Sequence, residues 1–259
     1  MPKRQVRRED IPVPGGSGRK FRRVGAEKWE SWLEAHIGTP KVYMPFMHKG
    51  DLVFDVGANR GVKVYAMRKL GARVIAVEPL AGHPSNLVPH LKYVFGDDPN
   101  VTIISQALGA ETGTVKLWAH KVFPGYSSTN RGWIMTRPPK DNLIECVVPV
   151  TTLDALIERF GEPTFIKIDV EAGEDKVLAG LSIPVAALNF EFHRGFAGVA
   201  MKCITRLEKL ATYQYNYVHA VRDRFALAHW VSANEIREII KGLPQDGPDS
   251  WGDIYARRG

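Results

Sequence analysis

Two neighbouring segments of the chain place glycines and carboxylates at the ends of apolar runs. Residues 51–61 read DLVFDVGANRG, which is typical of a short buried strand that breaks into a glycine-containing loop before a helix. Residues 74–79 read VIAVEP, a second apolar run that ends on Glu78. Gly57 lets the backbone turn tightly, and a carboxylate at the tip of the next strand can accept both hydroxyls of a ribose. The two segments therefore predict a nucleoside-binding βαβ unit.

The glycine spacing narrows the kind of nucleoside. A dinucleotide fingerprint requires Gly-x-Gly-x-x-Gly, whereas the run from Gly57 to Gly61 is GANRG and lacks the middle glycine. The missing glycine disfavours a nicotinamide dehydrogenase. The pattern Asp-x-Gly-x-Asn-x-Gly over 55–61 instead resembles the first motif of S-adenosylmethionine (SAM) methyltransferases, in which the loop backs the amino-acid end of the cofactor.

Charged residues also follow two later apolar runs. In the run KIDVE, Lys167, Asp169 and Glu171 share one parity and project to the same side of a strand. The next apolar run ends in NFEFH, where Glu191 and His193 again share a face. Ligands of open α/β sheets bind outside the carboxyl ends of the strands. We therefore expect these side chains to converge beside a ligand if the two strands are neighbours.

Methyl transfer would give these candidate catalytic residues defined roles. An enzyme must place the acceptor and, if the acceptor is a hydroxyl, remove its proton; a general base contributes roughly 10²–10⁴-fold in rate. His193 is expected to be the base because imidazole titrates near neutral pH, with Glu191 orienting it. Asp169 is the alternative base or a cofactor contact, and the group with Lys167 and Glu171 is equally consistent with an internal salt-bridge network. The carboxylates and the imidazole are metal-ligand types, but nothing in their spacing fixes a geometry, so no metal site is predicted.

The order of the motifs is similar to that of the FkbM family of SAM-dependent methyltransferases. The resemblance covers about residues 48–195. It rests on the segments GDLVFDVGANRG (50–61), VEP (77–79), ALG (107–109), TLD (152–154) and FIKIDVE (165–171). One departure is visible, because the family usually has a glycine directly after Asp-Val-Glu, whereas here Ala172 stands between Glu171 and Gly173. The turn after this strand is therefore expected to differ.

The resemblance implies a fold, a reaction and a set of site residues. The fold would be α/β and Rossmann-like, the class I methyltransferase fold, with a doubly wound, mostly parallel sheet and an antiparallel terminal hairpin. The reaction would be O-methylation of a hydroxyl on a small metabolite, sugar or natural product, with SAM as cofactor. The cofactor site would comprise Asp55, Gly57, Ala58, Asn59 and Gly61 at the methionine end, Glu78 followed by Pro79 at the ribose, Ser105, Gln106 and Ala107 at the adenine, and Asp169 at the reacting centre.

The remaining pattern alternates strands and helices, which indicates a doubly wound sheet. Strands are predicted over 52–56, 73–78, 101–105, 165–170 and 186–192, and helices over 25–37, 60–70, 84–93, 152–160, 173–181, 199–210 and 233–241. Strands over 114–119 and 144–150 flank a long loop, 119–142, whose aromatic and basic residues are typical of a lid or binding loop. Residues 215–221 and 224–231 are predicted to form a hairpin about Asp223, ahead of a Pro/Gly-rich end.

Length and charge bound the organisation of the chain. The 259 residues carry a net charge of +7, and residues 1–23 supply eight basic and two acidic side chains, or +6, which leaves about +1 for 24–259. We expect a flexible basic tail over 1–23 and one methyltransferase domain over 24–259. The sequence contains no apolar run of about 18 residues and no secretory pattern, and Cys146 and Cys203 form no metal-spaced pair. These features predict a cytoplasmic protein that does not act at a membrane.

Two alternatives stay open from the sequence. The basic tail and the aromatic, basic loop would also suit an RNA or DNA methyltransferase, but the nearly neutral remainder and the lack of a recognisable RNA module favour a small-molecule partner. A SAM-binding protein without catalysis would bind the cofactor and be indifferent to changes at Asp169 and His193. Neither the hydroxylated acceptor nor the oligomeric state follows from the sequence.

Overall fold

The described part of the chain forms a mixed α/β fold around one large sheet. A computed structural model describes residues 41–82, 86–137, 140–219, 222–247 and 249–259. The predicted helix over 25–37 and the tail over 1–23 lie outside these residues. In the described ranges, no helix combines the length and the apolarity that crossing a bilayer requires.

The secondary structure follows the alternation expected from the sequence. The strands are β1 (Leu52–Val56), β2 (Arg73–Val77), β3 (Val101–Ile104), β4 (Ala107–Leu108), β5 (Gly113–His120), β6 (Leu143–Thr151), β7 (Phe165–Ile168), β8 (Ala187–His193), β9 (Tyr213–His219) and β10 (Trp251–Arg258). The α-helices are α1 (Val62–Lys69), α2 (Leu87–Phe95), α3 (Arg131–Ile134), α4 (Leu153–Phe160), α5 (Glu174–Ala179), α6 (Ala197–Leu210) and α7 (Ala233–Gly242). The elements of the predicted nucleoside-binding region, β1 to β3, lie within three residues of their predicted bounds.

The large sheet has the strand order β3-β2-β1-β7-β8-β10-β9. Neighbouring pairs among its first five strands are parallel, and β10 runs antiparallel to both β8 and β9. The chain winds outward from β1 to β3 and then resumes with β7 on the other side of β1. This reversal of strand order opens a crevice at the carboxyl ends of β1 and β7, where open α/β sheets bind ligands. The doubly wound, mostly parallel prediction is confirmed.

The antiparallel pair at the end of the sheet is formed by different segments from those of the predicted hairpin. β9 pairs along its length with β10, a segment that was expected to be an irregular end. Residues 224–231 form no strand; they contact β9 through an isolated bridge between Tyr215 and Val231 and through the amide of Ala226, which donates to the carbonyl of Tyr217. The side chain of Asn216 bonds the backbone of Leu227 from both its amide nitrogen and its amide oxygen, which holds this segment as a loop across the strand. The predicted pairing of 215–221 with 224–231 is therefore wrong, although an antiparallel pair closes the sheet.

Both faces of the sheet are covered, which explains why its central strands are continuous apolar runs. On one face Phe54, Ile166 and Phe190 belong to a cluster with α4, α5 and α6. On the other, Val53 and Phe165 pack with α1, α2 and an aromatic group around Tyr255. Fully burying one such side chain contributes roughly 1.5–3 kcal/mol. The rigid sheet fixes the strand ends, and with them the groups of the site.

A second, three-stranded sheet of order β4-β6-β5 lies beside the strand ends. Its long strands β5 and β6, which correspond to the two predicted strands that flank the long loop, pair antiparallel. The loop between them carries a short 3-10 turn at Pro124–Tyr126 and the helix α3. It returns to β5 through two backbone hydrogen bonds between Trp118 and Ser128. The small sheet thus anchors the loop at the edge of the crevice.

Candidate active site

A cavity of about 690 Å³ lies at the carboxyl ends of β1, β2 and β7. This volume is within the range of roughly 300–1,000 Å³ that is usual for small-ligand sites. Its floor is formed by the residues that directly follow the three strands, and residues 122–129 of the long loop form its roof. The cavity therefore occupies the switch point that the strand order predicts.

Gly57 brings β1 and β7 together beneath this cavity. Its backbone has φ 84°, and a Cβ atom there would lie 1.8 Å from the carbonyl oxygen of Asp169. The amide N–H of Asp169 donates to the carbonyl of Val56, which continues the ladder to this point. The glycine is thus required by the approach of a neighbouring strand end, in addition to the tight turn expected from the sequence.

Glu78 points from the end of β2 into the cavity, and the backbone fixes its carboxylate. Its two oxygens accept N–H groups from Asn59, at 3.0 Å, and Leu80, at 2.9 Å. Burial raises the pKa of Glu78 to about 7, in spite of these two hydrogen bonds. A carboxylate oriented in this way keeps lone pairs available for the two hydroxyls of a ribose.

A buried lysine joins the ends of β1 and β7. The Nζ of Lys167 lies 2.9 Å from Oδ2 of Asp169 and 3.7 Å from Oδ1 of Asp55. Burial lowers the pKa of Lys167, but the charges of Asp169 and Asp55 outweigh burial and raise it overall. Burial likewise raises the pKa of Asp169, and the charge of Lys167 more than reverses that effect. Lys167 is therefore charged at neutral pH and holds Asp169 ionised at the cavity wall.

The turn after β7 is strained and is held by the long loop. Glu171 and Ala172 have φ values of 60° and 64°, the left-handed region that non-glycine residues rarely adopt. The hydroxyl of Ser128 donates to the carbonyl of Glu171 at 2.5 Å, and the side-chain amide of Asn130 donates to the carbonyl of Ala172 at 2.7 Å. The position at which the family has glycine thus keeps a glycine-like conformation, although Ala172 occupies it.

Glu171, Glu191 and His193 converge beyond this turn, because β7 and β8 are parallel neighbours. The His193 Nε2 lies 3.0 Å from Glu191 Oε2 and 3.9 Å from Glu171 Oε2. Burial raises the pKa of both glutamates well above the usual value, and the charge of Asp169 adds to the effect. Burial and the charge of Arg137 lower the pKa of His193 to about 4, so its imidazole is neutral at pH 7. The expected convergence of these side chains is present.

A second cavity of about 580 Å³ adjoins the first at this group. Both cavities are lined by four residues, Tyr126, Glu171, Glu191 and Trp251. The second is additionally lined by Trp133, Arg137, His193, Arg194 and Phe196, among others. The His193 ring lies between two indoles, with ring centroids 4.2 Å from Trp133 and 5.8 Å from Trp251. An aromatic, partly charged cavity therefore opens next to the convergent carboxylates.

Most of the predicted site residues meet at these two cavities. The first cavity is lined by Gly57, Ala58, Asn59, Glu78, Pro79, Gln106, Ala107, Lys167, Asp169, Glu171 and Glu191, and His193 lines the second. Asp55, Gly61 and Ser105 do not line either cavity. Asp55 is fully buried behind the floor, where it pairs with Lys167. Gly61 begins α1 in a left-handed conformation, and a Cβ atom there would meet the ring of Phe95.

The sequence prediction did not include several of the lining residues, and Lys63 and Trp251 are two that bear on the site. Lys63, in the first turn of α1, lines the first cavity, and its charge lowers the pKa of Asp169. Its place two residues after Gly61 was the available signal. Trp251 lines both cavities from the first position of β10, which was not predicted as a strand. The sequence provided no signal that this end of the chain returns to the site.

The strand order and the cavity at its switch point define a Rossmann-like α/β class of fold. The family model "Methyltransferase FkbM domain" matches residues 55–239, more than half of the chain. The protein therefore belongs to the FkbM family of methyltransferases, and the resemblance seen in the sequence is confirmed. No curated protein matches the chain significantly.

Solved structures with a related arrangement include two other methyltransferases. A precorrin-6y C5,15-methyltransferase from Geobacter metallireducens GS-15 is 10% identical over 85% of this chain and 86% of that chain, with a TM-score of 0.45. The 23S rRNA methyltransferase ErmE is 11% identical over 85% of this chain and 67% of that chain, with a TM-score of 0.39. The family assignment stands on the family match rather than on these distant similarities.

Proposed function

We propose that this methyltransferase uses SAM to methylate a hydroxyl group of a small metabolite, sugar or natural product, within one domain over 24–259. The observation that carries the proposal is the meeting of two cavities at Glu171 and Glu191. One cavity is lined by the residues expected to bind a nucleoside, and the other is an aromatic space of small-molecule size. Family membership supports methyl transfer, and the shared wall supports a small acceptor placed beside the cofactor.

The first cavity has the features that SAM would require. Glu78 would accept the ribose hydroxyls, and the backbone around Asn59 would border the amino-acid end. Asp169 at the far wall, which Lys167 holds ionised, favours a cationic ligand. When bound, SAM supplies an electrophilic methyl group on a positively charged sulfonium. The chain's own contribution is to hold the acceptor in line with that group and to exclude water, which can contribute several kcal/mol.

The second cavity would hold the acceptor, and a side chain in its wall would accept the proton of the acceptor hydroxyl. His193 is neutral at pH 7, but a pKa of about 4 makes it a weak base. Glu171 borders both cavities, so its carboxyl group lies where the proposed cofactor and acceptor would meet. We therefore assign proton acceptance to Glu171, with Glu191 and His193 as its immediate neighbours. The long loop, which lines both cavities, would close over the reacting groups.

The first test is calorimetric titration with S-adenosylhomocysteine, with NAD titrated in parallel, for the wild-type protein and Glu78→Ala. Micromolar binding of S-adenosylhomocysteine, no binding of NAD, and at least tenfold weaker binding by Glu78→Ala are expected. Absence of S-adenosylhomocysteine binding, or binding of NAD alone, would overturn the proposed cofactor.

The second test is a panel of hydroxylated acceptors assayed by S-adenosylhomocysteine release. Turnover with a small hydroxylated compound should fall about 10²-fold or more in Glu171→Gln, while S-adenosylhomocysteine affinity stays within a few-fold of wild type. Methylation of RNA, without turnover of any small acceptor, would favour the nucleic-acid alternative. Cofactor binding without turnover of any acceptor would favour a non-catalytic SAM-binding protein.

A further inference from the structure

The group formed by Glu171, Glu191 and His193 has the composition and spacing of a metal site. Each residue offers one ligand atom, and the three atoms all lie within 4.8 Å of one another. We propose that these three side chains bind a divalent cation at the junction of the two cavities. One imidazole nitrogen and two carboxylate oxygens suit Mn²⁺, Fe²⁺ or Zn²⁺ better than an all-oxygen ion such as Ca²⁺.

The local structure holds these three donors in place without a ligand. Glu191 and His193 share one face at the end of β8, and His193 is packed between Trp133 and Trp251. Glu171 comes from the strained turn after β7, whose carbonyl accepts a hydrogen bond from Ser128. Two adjacent strand ends and a braced turn thus converge on one point, which reduces the ordering cost of binding an ion.

The buried carboxyl group of Glu191 lacks a nearby cationic side chain, and a bound metal ion would supply the missing positive charge. The Glu191 side chain is 9% exposed and lies among four other carboxyl groups, those of Asp169, Glu171, Glu174 and Asp253. Among the described residues, no lysine or arginine lies within 4.0 Å of the Glu191 carboxylate, and its side-chain partner at 3.0 Å is the His193 ring. A buried carboxylate surrounded by acids must either take up a proton or bind a cation.

The position of the three donors leaves room for further ligands. Glu171 and Glu191 line both cavities, so an ion held by them would face the space between cofactor and acceptor. Oxygen atoms of the acceptor could then complete the coordination. A bound divalent ion lowers the pKa of a coordinated hydroxyl and so would promote its deprotonation. This consequence rests on the proposed function, whereas the metal site itself does not.

The test measures the binding of Mn²⁺ to the full chain after any bound metal has been removed with EDTA. Binding is monitored by calorimetry and by the electron paramagnetic resonance signal of free Mn²⁺. Saturable binding at one ion per chain is expected, with Zn²⁺ competing for the same site. Glu191→Gln and His193→Ala should each weaken Mn²⁺ binding at least tenfold. Glu174→Gln, which removes a nearby buried carboxyl that is not a donor, should weaken it less than threefold.

Titration of S-adenosylhomocysteine in EDTA separates this proposal from the proposed function. Each variant should bind it within a few-fold of wild type, which also shows that the variant is folded. Failure of wild-type protein to bind S-adenosylhomocysteine would contradict the proposed cofactor and leave the metal site standing. Lack of saturable Mn²⁺ and Zn²⁺ binding to folded wild-type protein, or Mn²⁺ binding unchanged in Glu191→Gln, would overturn the metal site.

Discussion

The proposed role of Glu78 would make cofactor binding depend on pH. Burial raises the pKa of Glu78 to about 7, and its charged form would accept the two ribose hydroxyls most strongly. Since only the ionised fraction binds well, the dissociation constant for S-adenosylhomocysteine should be about tenfold higher at pH 6 than at pH 8. Calorimetry across this range measures it. Glu78→Gln should bind more weakly and without this pH dependence; an equally steep profile in the variant would assign the titration to another group.

Lys167 is the buried counter-ion of two carboxylates, so its removal should destabilise the fold. It is 1% exposed and lies between Asp55 and Asp169. Lys167→Met would leave Asp55 buried without a cation, which should lower the free energy of unfolding by about 3–5 kcal/mol. Urea denaturation measures the loss. The double variant with Asp55→Asn should recover part of it, and a double variant as unstable as the sum of both single changes would contradict this pairing.

At the scale of elements, the contact between β1 and β7 depends on Gly57. Gly57→Ala combines a strained φ with a Cβ atom 1.8 Å from the Asp169 carbonyl oxygen, so we expect a loss of more than about 3 kcal/mol in unfolding free energy. The matched control is Gly50→Ala, where φ is +92° but nothing lies within 4 Å of the added atom. Strain alone should cost that variant about 1–2 kcal/mol. Equal losses in the two variants would show that the strand contact is unimportant.

Glu174, the first residue of α5, ties that helix to the turn after β7. Its Oε1 accepts the N–H of Val170 at 3.0 Å, and burial raises its pKa to about 8. Because this pKa exceeds the usual value of 4.5, folding favours the protonated form; the resulting stability is complete below about pH 4.5 and is lost as pH rises to about 8. Glu174→Gln keeps the acceptor oxygen, so its stability relative to wild type should rise over this window and level off above it.

Urea denaturation at pH 5, 7 and 9 measures that trend. Glu162→Gln, at an exposed position, is the control and should track the wild type at each pH. A constant difference between Glu174→Gln and wild type from pH 5 to pH 9 would show that Glu174 has an ordinary pKa in the folded protein.

The elements that sequence reasoning could predict are those with a local signal. The parallel strands β1, β2 and β7 are apolar runs that end on glycine or a charged residue, so both their bounds and the position of Glu78 and Asp169 followed from the pattern. β10 alternates less clearly, and its pairing with β9 bridges a long stretch of chain, which no local pattern records. The contribution of Trp251 to the site could not be predicted for the same reason, because it depends on this long-range pairing.

The individual roles of the site residues were harder to predict than their meeting point. The adjacency of β7 and β8 was enough to predict that Glu171, Glu191 and His193 meet, although Glu171 lies in the turn after β7, where strand parity no longer applies. The depth of burial, which lowers the pKa of His193 and raises that of Glu171, depends on the surrounding packing. The departure at Ala172 could be seen in the sequence, but its resolution through hydrogen bonds from Ser128 and Asn130 required the long loop to be placed.

At the scale of the whole molecule, charge is separated from the predicted catalytic machinery. Residues 1–23 hold +6 of the net +7, whereas the two cavities are lined by a mixture of acidic and basic side chains. The concentrated positive charge of the tail is therefore the stronger attraction for backbone phosphates. Any binding of nucleic acid should therefore depend on the tail and be independent of the two cavities.

Deletion of residues 1–23 tests this separation. The truncated protein should bind S-adenosylhomocysteine within about twofold of the full chain, because every residue assigned to the cofactor lies at or beyond position 55. If the full chain binds a short single-stranded RNA, that affinity should fall steeply with salt and be lost on deletion, since it arises from released counter-ions. Fluorescence anisotropy of the labelled RNA between 50 and 300 mM salt, roughly the range over which such binding is lost, measures both the salt dependence and the effect of the deletion on RNA affinity. RNA binding that survives the deletion and competes with S-adenosylhomocysteine would place nucleic acid at the cavities and contradict a small acceptor.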